Sequence, residues 1–158
     1  MKKVCVFSDS HGCAEHMLRV LDRERPDLVI HLGDGEMDLI PVRDRYPDLP
    51  IENVRGNCDR FSTALNVLRT TVDGVRIFAV HGHMYDVKLD PAFTRLRYAA
   101  LEDDAKLLLF GHTHSPLRDH VWGMEIMNPG SCGDIPCPTY GLVLLDKGTV
   151  TAEVREAL

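Results

Sequence analysis

Seven side chains with the chemistry of metal ligands stand in five short clusters: Asp9 with His11, Asp34, Asn57, His81, and His112 with His114. Each cluster closes an apolar run, at 4–8, 28–32, 51–54, 75–80 and 106–110. In an open α/β sheet, the loops after the carboxyl ends of the strands gather along one edge. Ligands far apart in sequence would therefore converge in space. Five strand ends delivering carboxylate, carboxamide and imidazole describe a metal centre, and seven donors are enough for two ions.

The clusters differ in how much they say. Asp9-Ser10-His11 places a carboxylate and an imidazole where turning backbone lets both meet one ion, although the same pattern also stabilises turns. In Gly33-Asp34 the glycine lets the chain turn tightly, and Asp34 has two oxygens that can bridge two cations; an ordinary aspartate in a glycine turn looks the same. Gly56-Asn57-Cys58-Asp59 offers a rare ligand type that is also a common turn residue. His81-Gly82-His83 reads either as a ligand pair or as a strand-end cap. His112-Thr113-His114, directly after Leu-Leu-Leu-Phe-Gly, carries the sharpest signal. His31 reads as a satisfied core residue, and His16 and His120 as surface.

The elements that must position these residues follow from hydrophobic pattern. Strands are expected at 2–8, 28–32 and 51–54, with a helix over 14–25 whose apolar residues fall at 14, 17, 18 and 21 before Pro26. Pro41 would open a short helix that Pro47 and Pro50 end. This β-α-β-α-β order implies parallel pairing with right-handed crossovers. Next comes a hairpin, 68–72 and 75–80, on an Asp73-Gly74 turn. Asp90-Pro91 reads as an N-cap with proline at the first helical position, starting a helix to about Asp103. After a buried strand at 106–110, the remainder is meander-like: 118–122, 124–127, 140–146 and 149–155. Some ten strands exceed one comfortable sheet. The expected class is α/β, with two packed mixed β-sheets flanked by helices, in one domain over 1–158.

Bulk properties narrow the function. A chain of 158 residues can bury close to 70% of its unfolded surface. A net charge of −6 without a Lys/Arg block argues against a broad nucleic-acid surface. Attraction for a phosphate would have to come from bound metal. The five cysteines are odd in number, irregular in spacing and lack a CxxC pair, which fits reduced thiols in a cytoplasmic protein. The apolar run before Ser8-Asp9 is only four residues, Val4 to Phe7, too few for a signal peptide, and no stretch approaches the ~20 apolar residues of a membrane span.

Taken together, the series D-x-H, G-D, G-N-x-D, H-G-H, G-H-x-H resembles the calcineurin-like metallophosphoesterases, over the chain from Asp9 to Ser131. The G-N-C-D variant, the short length and Asn128-Pro129-Gly130-Ser131 look most like the small YfcE-like phosphodiesterases. The resemblance implies an α/β/β/α sandwich and hydrolysis of a small phosphodiester or phosphomonoester. It assigns one metal to Asp9, His11, Asp34 and His114, and a second to Asp34, Asn57, His81 and His112. It also implies two divalent ions, Mn²⁺ favoured with Fe, Zn²⁺ or Ni²⁺ as alternatives, and a homodimer as is common among small members. Two such ions, ~3.5–4 Å apart, acidify a shared water to hydroxide and grip the phosphoryl oxygens.

Four residues are expected to assist the chemistry: Asn57, Cys58, Asp59 and His83. The wider family often has histidine at position 58 as donor to the leaving oxygen; the cysteine here is a poor replacement, and His83 is the alternative. Asp59 would orient a ligand histidine through its ring N–H. Met37 stands where many members carry a second aspartate. Asn128–Ser131 is read as fixing a turn at the rim. Two rival readings are a catalytically silent scaffold of this fold, as in the retromer subunit resembling the family, and a metallo-β-lactamase-type hydrolase. The latter fails at Tyr85 and Asp86, which break its H-x-H-x-D-H pattern.

Overall fold

The computed structural model describes residues 1–158. Strand β1 (Lys2–Phe7) leads to helix α1 (Ala14–Glu24), β2 (Leu28–His31), α2 (Leu39–Arg45) and β3 (Ile51–Asn53). The hairpin β4 (Val67–Val72) and β5 (Val75–Val80) is followed by α3 (Thr94–Glu102) and β6 (Leu107–Leu109). Two further hairpins, β7 (Leu117–Val121) with β8 (Met124–Asn128) and β9 (Thr139–Asp146) with β10 (Thr149–Glu156), complete the chain. One sheet has the order β10-β9-β1-β2-β3 and the other β4-β5-β6-β8-β7. Within them β1, β2 and β3 run parallel, as do β5, β6 and β8. No helix is long and apolar enough to cross a membrane.

Alternation along the strands explains the layering. One face of each sheet contributes to a shared core that includes Val4, Val6, Ile30, Ile77, Leu107, Leu109 and Val143. The opposite face of the first sheet sends Cys5, Phe7 and Val29 to meet Met17, Val20 and Leu21 of α1 and Val42 of α2. The outer face of the second sheet packs Phe78, Leu108 and Ile126 against Leu96 and Ala100 of α3. Strands buried on both faces must be apolar at every position, which is why β6 reads Leu-Leu-Leu. The result is the expected α/β/β/α sandwich.

Turn chemistry sets the register. Asp73 and Gly74 both take positive φ, at 47° and 79°, as a two-residue hairpin turn demands, and Val72 pairs with Val75. Two expected helix starts differ in the structure. The Asp90 carboxylate accepts the N–H groups of Ala92 at 3.1 Å and Thr94 at 2.7 Å, closing a separate turn. Phe93, at φ 53°, interrupts the helical path, so α3 begins at Thr94 and Pro91 lies outside it. Pro41 is the third residue of α2 rather than its opening one. Its missing N–H is tolerated there because first-turn N–H groups lack intrahelical partners.

One buried acid ties the outer layer together. Glu24, 8% exposed, accepts the Tyr140 hydroxyl at 2.6 Å and an Arg155 N–H at 3.3 Å, with Lys3 Nζ at 3.7 Å. Burial opposes its ionisation, but Tyr140 and the surrounding cations win and hold its carboxyl below the ordinary range. A depressed folded-state pKa stabilises above the unfolded value of ~4.3 and is lost as pH falls below it. Glu24→Gln should therefore lower stability by about 1–2 kcal/mol at pH 7. The penalty should shrink toward pH 3, as equilibrium denaturation at the two pH values would show.

Candidate metal centre

The five clusters meet at the carboxyl ends of β1, β2, β3, β5 and β6, where the two sheets open toward solvent. The backbone there is unusual. Asp9, His11, Asp34, His112 and His114 all sit at left-handed φ, between 45° and 68°. Such a conformation costs a residue with a side chain roughly 1–2 kcal/mol, and strain of this kind gathers at functional sites. Gly33 and Gly56 let two of the loops touch: a Cβ on Gly56 would strike the backbone and carboxylate of Asp34, and one on Gly33 would strike the Gly56 backbone.

Two groups of donors result. In the first, Asp9 Oδ1 lies 3.2 Å from His114 Nε2 and 3.6 Å from His11 Nε2, and His11 Nε2 is 3.8 Å from Asp34 Oδ2. In the second, His81 Nε2 lies 3.2 Å from Asp34 Oδ2, 3.0 Å from Asn57 Oδ1 and 3.1 Å from His112 Nδ1. All seven sequence-derived positions are thus brought together, with Asp34 between the groups.

The protons decide what this arrangement is for. His81 Nδ1 is 2.7 Å from the Leu32 carbonyl, which can only accept. The ring proton of neutral His81 therefore sits on Nδ1, and Nε2 turns a lone pair toward the oxygens of Asp34 and Asn57. His114 stands between two carboxylates: its Nδ1 faces both oxygens of Asp134 at 3.2 Å, and its Nε2 faces Asp9 Oδ1 at 3.2 Å. Asp9 Oδ1 is itself buried without any hydrogen-bond partner, while Oδ2 accepts the His112 N–H at 3.0 Å and the Ser8 hydroxyl. Converging acceptors of this kind repel unless a proton or a metal cation lies among them. The donor set fits divalent metal.

The acid–base shifts have the same origin. Burial works against Asp34 ionisation, but His81 and the Cys58 N–H, 2.8 Å away, hold its carboxyl far below the usual range. His81 is pushed up by Asp34 and Asp9 against the effect of burial. Burial and the neighbouring His81 lower His112 to about 4.

The expected accessory residues divide. Asp59 does not orient a histidine. Its Oδ2 accepts the N–H groups of Asp34 (2.8 Å) and Gly56 (2.9 Å), and its Oδ1 those of Gly35 (3.0 Å) and Glu36 (3.1 Å). With four backbone donors arranged around it, the carboxylate has no free edge for an imidazole. The orienting groups are the Leu32 carbonyl and Asp134, neither singled out from sequence. A backbone oxygen leaves no residue-type signal, and Asp134 lies 20 positions beyond its partner in a Gly/Pro-rich loop. Cys58 stands on one flank, its thiol close to donor atoms of His11 and Asp34. His83 stands on the other, its ring centroid 5.4 Å from that of His81 and its buried Nδ1 without a partner.

Supporting residues lie beneath. Asn128 donates to the Gly111 carbonyl at 3.1 Å and to Thr113 Oγ1 at 3.0 Å, and Ser131 donates to the Asp9 carbonyl at 2.8 Å. The segment is buried, so it braces two ligand loops from below rather than shaping a rim. Met37 is exposed, while the next residue, Asp38, accepts from Ser10 Oγ at 2.6 Å and Gly12 N–H at 2.9 Å. His31 is a satisfied core residue, with Ser10 Oγ at 3.0 Å and the Gly33 N–H at 3.1 Å. His16 is half-buried, 2.6 Å from the Cys132 carbonyl, rather than on the surface. His120 is exposed.

Residues 1–148 match the model of the calcineurin-like phosphoesterase superfamily domain. The chain belongs to this superfamily. It is 34% identical over 131 residues to the probable metallophosphoesterase YsnB of Bacillus subtilis, covering 81% of this chain and 73% of that one. It is 26% identical over 155 residues to the phosphodiesterase YfcE of Escherichia coli, covering 83% and 79%. A predicted phosphoesterase of Streptococcus pneumoniae superposes with a TM-score of 0.82 at 29% identity, covering 99% of this chain and 90% of that one. Vps29 of Entamoeba histolytica, in a structure complexed with zinc, gives 0.75 at 22% identity and 99% coverage of both, a likeness of fold. The matches support a metal-dependent phosphoesterase.

Proposed function

We propose that the protein is a phosphodiesterase working with two divalent cations. Asp9, His11, Asp34 and His114 would hold the first, and Asp34, Asn57, His81 and His112 the second. The observation that carries the reading is the convergence of seven carboxylate, carboxamide and imidazole donors in two groups that share Asp34. When bound, the two cations supply an acidified shared water and neutralise the charge of the phosphoryl oxygens. The chain does the rest. Asp34 turns one oxygen, Oδ2, toward both groups of histidines, while its Oδ1 accepts the Cys58 N–H, which fixes the carboxylate plane. His83, beside His81 and with its buried Nδ1 unpartnered, would meet a leaving oxygen. Imidazole with carboxylate and carboxamide oxygen suits Mn²⁺, Fe, Zn²⁺ or Ni²⁺, and the family favours Mn²⁺.

Removing metal tests this directly. Chelated protein should lose hydrolysis of bis-nitrophenyl phosphate, and Mn²⁺ should restore more of it than Mg²⁺, which prefers an all-oxygen shell. Full activity in excess chelator with no bound metal would sink the reading. The rival, a silent scaffold, draws on the likeness of fold to Vps29. It requires that no phosphomonoester, diester or cyclic nucleotide is hydrolysed even with each metal supplied.

A further inference from the structure

A cleft of about 560 Å³ opens beside the candidate metal centre and is used by none of the residues assigned above. It lies between the 87–93 loop and the start of β7, and Thr113, between His112 and His114, forms part of its wall. Its volume is that of a site for a small organic molecule. Pro91, Phe93, Pro116 and Leu117 make the solvent-accessible apolar part of its lining, over Val87 and Phe110 buried beneath.

Two of the three polar side chains in the wall, Thr113 and Ser115, already make hydrogen bonds to their neighbours. Thr113 Oγ1 accepts from Asn128 Nδ2 at 3.0 Å and from the Ser115 N–H at 3.2 Å, and Ser115 Oγ donates to the Thr113 carbonyl at 3.4 Å. Lys88 is the remaining polar side chain of the lining, and it is exposed. A polyhydroxylated arm such as a bare sugar would leave its hydroxyls unmatched against this surface, at a cost. A flat apolar ring would not, and an ammonium over a ring face adds attraction.

One backbone feature marks the same place. Phe93 is held at φ 53°, a conformation that is an outlier for a bulky side chain. Its ring packs on Phe110 with centroids 4.8 Å apart. The strained residue places its aromatic side chain in the cleft wall.

We propose that this cleft receives the organic arm of the substrate, and that the substrate class is a phosphodiester carrying an aromatic or heteroaromatic ring rather than a small alkyl group. The inference rests on the phosphodiesterase reading, since the phosphoryl group must sit on the metal pair for its arm to reach the cleft. Phenylphosphonate and methylphosphonate share one headgroup and differ only in the arm. Titration calorimetry on Mn²⁺-loaded protein should find phenylphosphonate bound about tenfold or more tightly, the scale expected for burying a ring. Leu117→Asp, which puts a charge in the wall, and Ser115→Trp, which fills the space, should each pull the ratio of the two dissociation constants toward one. Melting curves identify any variant that fails to fold, and the other then decides. Equal affinities in the native protein, or a ratio unmoved by the folded variants, would overturn the cleft assignment alone. Absence of binding by both phosphonates, together with absence of metal-restored hydrolysis, would overturn it along with the metal-centre reading beneath it.

Discussion

Asp34→Asn should cost more activity than any other single ligand replacement, and it should lower the metal content of both positions. Asp34 Oδ2 lies 3.2 Å from His81 Nε2 and 3.8 Å from His11 Nε2, so the carboxylate faces both groups of donors. Asparagine keeps the shape but removes the charge. It can also present an N–H₂ where an electron pair is needed. Disturbing a residue that merely supports a ligand typically lowers metal affinity or activity ~10–100-fold. Loss of a charged ligand common to two ions should exceed the upper end, beyond about 100-fold in kcat/KM. His114→Ala is the control, because His114 Nε2 faces Asp9 and only the first group. Elemental analysis should find both positions depleted in the Asp34 variant and mainly one in the His114 variant. One ion lost in the former and none in the latter would contradict the sharing of Asp34.

The fold and the donors were legible because both leave residue-type signals. A strand buried on both faces has to be apolar throughout, and a ligand loop has to carry His, Asp or Asn at its start. The sequence of β6 followed by Gly111-His112-Thr113-His114 shows both in eight residues. What the sequence does not record is which way a short polar side chain turns. Asp59 follows Asn57 in the pattern of a residue that orients an imidazole. Yet Gly56 lets the loop approach so closely that backbone N–H groups reach its carboxylate first. Likewise Asp90-Pro91 has the residue types of a helix start, and the positive φ of Phe93 moves that start to Thr94. Positive φ at five candidate ligands was equally invisible, since all five positions carry aspartate or histidine rather than the glycine or asparagine that favours it. Local residue type announces donors; long-range packing assigns their partners.

Asp59→Ala should destabilise the protein itself, independently of metal. The side chain gathers N–H groups from two loops, Asp34, Gly35 and Glu36 on one side and Gly56 on the other, at 2.8–3.1 Å. Burial disfavours the charged form, but these four donors overcome it and hold the carboxyl below its ordinary range. Alanine would leave several half-buried donors with water as their only partner. An unsatisfied buried donor costs roughly 1–3 kcal/mol; with partial solvent access and non-additive losses, about 2–4 kcal/mol is the expected total. For a chain of this size each kcal/mol lowers Tm by about 2–4 °C, so a fall on the order of 10 °C follows. The measurement belongs on chelated protein, because bound metal stabilises the folded state by mass action and would mix the two effects. An Asp59 that only oriented a ligand histidine would leave the melting point of chelated protein unchanged and weaken metal binding alone. The four-donor geometry requires the opposite order: the apo fold loosens first, and metal affinity falls as a consequence, because Asp34 and Asn57 lose the anchor that holds their loops together.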